Sequence, residues 1–102
     1  MAKIRKKRVR WSASLSPDVA GYKLYWALLK GVSYDSASVN LGNVTEVILP
    51  DNVPSFPLLA GDVEFGVTAV DQSGNESDMA VYSTNIDFVA PDPPKDLVLE
   101  DI

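Results

Sequence analysis

The stretch that decides the fold is Gly21-Tyr22-Lys23-Leu24-Tyr25-Trp26-Ala27-Leu28. From Tyr22 onward it holds no breaker and two kinds of aromatic ring, the composition of a central β-strand. Period two sorts its side chains, with Tyr22, Leu24, Trp26 and Leu28 inward and Lys23 and Tyr25 outward. Val63–Val70 repeats the alternation, with Val63, Phe65, Val67 and Ala69 facing in. Arg8–Ala13 does the same with Val9, Trp11 and Ala13. Ser38–Leu41 and Val44–Leu49 read as short strands around a Gly42-Asn43 turn, and Met79–Phe88 as the last strand of the body.

Breakers punctuate these runs. Ser16-Pro17-Asp18 marks a turn, Lys30–Ser36 is a loop around Gly31, and Asp71–Asp78 is a polar hairpin loop. Pro50, Pro54 and Pro57 exclude a central strand from Pro50–Gly61, because proline removes a ladder donor. That segment reads as a crossing loop with Phe56, Leu58 and Leu59 beneath it. No helix and no internal repeat emerges. About seven short strands separated by turns predict an all-β, antiparallel sandwich of the immunoglobulin-like kind. Its expected core is Trp11, Tyr22, Leu24, Trp26, Val47, Leu49, Leu59, Phe65 and Val67.

At 102 residues the chain makes one domain, and its 46% apolar and 23% charged composition is ordinary for a globular protein. Cysteine and histidine are both absent. That excludes disulfides, thiolate nucleophiles, histidine bases and zinc sites built on either residue. No apolar run approaches the length of a membrane helix, so no membrane insertion is expected. No signal-peptide pattern follows the basic start, which leaves the compartment open.

The net charge of −5 is unevenly spread. Residues 1–10 hold six basic and no acidic side chains, while residues 11–90 hold Lys23 and Lys30 against ten carboxylates. Residues 91–102 set Lys95 against Asp92, Asp96, Glu100 and Asp101. The basic arm reads either as a nucleic-acid contact or as charges guarding a strand edge. The acidic body would repel phosphates, and no aromatic ring interleaves the arm before Trp11, so no nucleic-acid partner is expected.

The ordered set of Trp11, Gly21-Tyr22-Lys23-Leu24-Tyr25-Trp26, Leu59-Ala60-Gly61, Phe65-Gly66-Val67-Thr68-Ala69-Val70-Asp71 and Ser73-Gly74-Asn75-Glu76-Ser77 resembles a bacterial fibronectin type III domain, over residues 8–90. The resemblance implies three strands packed on four, and a role in spacing, adhesion or partner binding. It also implies an extracellular or cell-surface setting. Two departures stand out. The family's corner tyrosine would fall near Val63, where none stands. The family's opening proline-rich lead-in and first strand have no counterpart in residues 1–7, yet Pro91-Asp92-Pro93-Pro94-Lys95-Asp96-Leu97-Val98-Leu99 looks like such an opening.

The chain therefore divides into a body, 1–90, lacking its own first strand, and a proline-rich linker with a donor-strand segment, 91–102. A missing first strand leaves the Trp11 strand as an open edge. Leu97 and Leu99 would face the core, with Val98 outward, and Val9 and Trp11 would receive them. Donation to a second chain gives a swapped dimer or head-to-tail assembly. Return within one chain, or a tail that opens a following domain, are the other two routes.

Other candidates have bland readings beside them. Asp71, Asn75, Glu76 and Asp78 are calcium-type ligands, but their spacing does not match an EF-hand loop and turns use the same residues. No cofactor is expected. Asn43-Val44-Thr45 and Asn75-Glu76-Ser77 fit the glycosylation acceptor pattern, which is short enough to recur by chance. Asp62 and Glu64 alternate on a solvated strand face, and the chain is not expected to be an enzyme. Tyr25 is expected to be exposed beside Lys23, and with Tyr82 offers a patch for a protein or sugar. The leading expectation is a non-catalytic module for assembly, spacing or protein interaction. The alternative is an accessory module holding a larger enzyme near a carbohydrate or protein ligand.

Overall fold

The computed structural model describes residues 2–102, and over them the chain is all-β with no helix. Six strands form: β1 (Lys7–Arg10), β2 (Val19–Leu28), β3 (Ala37–Gly42), β4 (Glu46–Leu49), β5 (Ala60–Asp71) and β6 (Ala80–Asp87). They make two antiparallel sheets, β1-β4 and β3-β2-β5-β6, packed as a small sandwich. The deciding stretch is central, as its composition requires. β2 pairs along both sides, with Trp26 opposite Ala37 of β3 and Phe65 of β5.

Cross-strand partners share a face of a sheet, so Trp26, Phe65 and Tyr82 lie on the inner face. Leu24, Trp26, Val63 and Phe65 of the larger sheet bury against Val47 and Leu49 of β4. Phe56 is the hub of this core. Its ring centroid lies 5.4 Å from Trp26, 5.7 Å from Phe65 and 6.1 Å from Phe88. The proline-rich crossing segment delivers both Phe56 and Val53 into the core, held by short turns such as Phe56 N–H to the Val53 carbonyl at 2.9 Å. A buried aromatic side chain stabilises by about 1.5–3 kcal/mol through apolar transfer, so Phe56 anchors a loop that has no ladder of its own.

The expected core needs two corrections. Leu28, at the end of β2, is 54% exposed although its register partner Val63 is buried in the core. Trp11, Leu59 and Val67 are half-buried and pack on the core rather than inside it. Residues 91–102 form no strand and are exposed throughout. They draw the molecule out to 71 Å along one axis, against 24 and 19 Å along the others.

Candidate strand-docking edge

β1 pairs with β4 in the register Lys7–Leu49, Arg8–Ile48, Val9–Val47 and Arg10–Glu46. Among the described residues its other edge has no partner strand. The Trp11 N–H bonds the Thr45 carbonyl at 3.0 Å, on the β4 side. Backbone groups alternate sides along an antiparallel strand, so those of Val9 and Lys7 also point to β4. The N–H and carbonyl groups of Arg8 and Arg10 therefore face the open edge.

Beside that edge runs a groove of about 510 Å³ between the two sheets. Val9 and Trp11 form one wall, Phe65 and Val67 the floor, and Tyr82 and Ile86 the other wall. The inner face of β6 shows how the cover runs out along the strand. Ile86 is buried, Thr84 is half-buried, and Tyr82 is 68% exposed although its ring points inward.

Charge lines the same edge. Lys7 shares the inner face with Leu49, its register partner, yet is exposed at the groove. Arg8 meets Glu46 at 3.5 Å and Lys6 meets Asp51 at 2.6 Å. Lys7 and Arg10 have no carboxylate within ion-pair distance among the described residues. The basic arm is not wholly solvated, since Ile4 packs on the core cluster. Trp11 carries a buried indole N–H with no acceptor.

The outer face of the larger sheet is built differently, and it overturns the expected tyrosine patch. Tyr25 is 1% exposed, not a surface residue. The Tyr34 ring covers it edge-on at 5.9 Å, and the Lys23 ammonium lies 5.0 Å from its centroid. Its hydroxyl donates to the Glu76 carboxylate, which also accepts from Thr68 Oγ1 at 2.7 Å. Burial, and then the hydrogen bond to Glu76, raise the Tyr25 pKa. The Tyr25 and Thr68 hydroxyls hold the Glu76 carboxyl below the ordinary range. Tyr82 stands on the opposite face, so the two tyrosines share no surface.

The remaining carboxylates serve as loop fasteners. Glu64 accepts from the Gly31 and Val32 amides at 3.1 and 2.9 Å and from Ser83 Oγ at 2.8 Å. The Ser83 bond, followed by that of Val32, lowers its pKa. Asp62 accepts from Asn85 at 3.0 Å. Asp71 closes its hairpin by accepting from the Asn75 and Ser73 amides at 2.8 and 3.0 Å. Among the described residues no group of three or more acidic side chains is placed to hold a metal ion, and no helix is long and apolar enough to cross a membrane.

Of the residues singled out from the sequence, the structure brings Val9, Trp11 and Tyr82 together at the groove. Tyr25 lies under Tyr34 and Glu76, with the half-buried Lys23 beside it. Leu97, Val98 and Leu99 stand away from the body, exposed. Thr84, Ile86 and the inward turn of Lys7 were missed. Tyr82, Thr84, Ile86 and Phe88 share one parity in the sequence, and the burial of Phe88 shows it to be the inner one. No family model, curated protein or solved structure matches the chain.

Proposed function

We propose that the chain is a non-catalytic, fibronectin type III-like module of the immunoglobulin-like class that works in protein assembly by taking up an extended segment beside β1. The observation that carries this is the open edge itself: unpaired backbone at Arg8 and Arg10 next to an apolar groove. Main-chain bonds supply affinity in such strand addition, and pockets for alternate side chains supply specificity. The pairing of β1 with β4 and the order β3-β2-β5-β6 support the class, with one strand fewer in the smaller sheet than the family would carry.

All six strands and the buried core precede Ala90, and residues 91–102 contribute neither, so a chain ending at Ala90 keeps the fold. That shortened chain is the reagent for the test. The probe is a synthetic peptide of alternating valine and threonine followed by two carboxylate residues. Amide hydrogen exchange at Arg8 and Arg10 is expected to slow as peptide is added, while β2 and β5 amides do not change. Unchanged exchange at saturating peptide would show that the edge accepts no strand.

A further inference from the structure

We propose that residues 97–101 of a second copy of this chain fill the groove, antiparallel to β1, with Leu99 opposite Val9. The inference rests on the open-edge reading above and adds the occupant. Leu97 and Leu99 are each 98% exposed on a segment that touches nothing, two residues apart and so on one strand face. The groove offers Val9 and Trp11, also two residues apart, on its receiving wall.

One register satisfies both partners. Setting Leu99 opposite Val9 in the antiparallel sense puts Leu97 opposite Trp11 and Asp101 opposite Lys7, all facing inward. It puts Val98 opposite Arg10 and Glu100 opposite Arg8, facing outward. The backbone groups of Val98 and Glu100 then meet the unpaired ones of Arg10 and Arg8. Asp101 reaches Lys7, the inward ammonium without a partner, and Glu100 joins the Arg8–Glu46 pair. A parallel placement does worse. With Leu99 opposite Val9 it sets Asp101 against Trp11, and with Leu97 opposite Val9 it sets Lys95 against Lys7.

Direction makes the donor a second copy. Trp11, just past the end of β1, packs against Tyr22 with the rings tilted at 54° and their centroids 5.7 Å apart. Tyr22 lies at the start of β2, opposite Ala69, close to where β6 begins at Ala80 opposite Val67. So β6 starts where β1 finishes, and the chain leaves β6 at the Lys7 end. An antiparallel partner of β1 must enter at the Trp11 end. The chain's own tail would first have to retrace the length of β6, about 25 Å, with a linker stiffened by Pro91, Pro93 and Pro94. The structure instead carries that tail outward. A second molecule reaches the Trp11 end without the return.

Sedimentation of the full chain across a wide concentration range is the first measurement. Concentration-dependent dimers or longer species are expected, and monomers only for the chain ending at Ala90 and for Leu99→Lys. The Leu99→Lys protein should melt as the shortened chain does, since position 99 touches no part of its own body. Asp101→Lys should weaken association several-fold, and adding Lys7→Asp should restore it. A full chain monomeric at every concentration overturns the second copy, as does association that survives Leu99→Lys. Failure of Lys7→Asp to rescue Asp101→Lys overturns the register. If the full chain stays monomeric while the peptide still slows exchange in the shortened chain, the edge reading stands and its occupant is another protein. If a monomeric full chain already shows slow exchange at Arg8 and Arg10, its own tail is the occupant. If neither tail nor peptide alters exchange, the edge reading falls too.

Discussion

The two flanks of this sandwich are finished in opposite ways. On one, the chain passes from β3 to β4 through Asn43-Val44-Thr45, so a covalent link closes the gap and Val39 and Leu41 pack on the core. On the other, β1 and β6 face each other with no connection, and Tyr82 turns inward onto empty space. Inward orientation is a property of the strand, whereas burial is a property of what lies across from it. The closed flank therefore carries stability, and the open one is left to the proposed contact.

Substitutions on each side should separate those roles. The largest effect belongs to the closed core. Phe56→Ala removes the ring that Trp26, Phe65 and Phe88 share, and should destabilise by about 3–5 kcal/mol, read as the shift of a denaturant midpoint. A loss below 1 kcal/mol would mean that the crossing loop does not hold the core. Next comes the outer face over the same sheet. Tyr25→Phe leaves the Glu76 carboxylate one donor short and should lose about 1 kcal/mol.

Acid should act on the same fasteners. Glu64, Asp71 and Glu76 all have folded pKa values lowered by their hydrogen bonds. Their contribution is present above the ordinary carboxylate pKa and is lost as pH falls through the lowered one. The melting temperature should hold from neutral pH to about pH 5 and fall below it. In Glu76→Gln the fall should be shallower, and an identical acid limb would remove Glu76 from the account. On the open flank the effect should be smallest. Tyr82→Ala in the chain ending at Ala90 should change stability by less than about 0.5 kcal/mol, because its ring has little to leave. A loss as large as that of Phe56→Ala would mean that the groove is closed in solution.

Much of this was legible in the residues. The uninterrupted run from Tyr22 to Leu28 announced a central strand, and three prolines announced a crossing segment. What the alternation concealed was context. Tyr25 reads as outward and is outward. Yet Glu76, 51 residues away in sequence, and Tyr34 fold over it, and no local pattern reports a contact of that span. Val53 hides in a segment whose prolines suggest surface. At Gly66, Met79 lies across the strand so closely that a Cβ there would fall 2.2 Å from the Met79 sulfur, which the alternation of Val63–Val70 does not reveal. The tail was legible as apolar alternation but not as free of the body, since that depends on where β6 ends in space.

Lys7 gives the open edge a gatekeeper. An exposed row of amides beside an oily trough invites any passing extended chain, which is the usual beginning of aggregation. A positive charge turned toward that trough raises the penalty for a wholly apolar intruder and leaves it low for a sequence bringing its own carboxylate at the matching step. Under the proposed docking, one lysine on the inward side of a four-residue strand would separate recruitment from indiscriminate sticking.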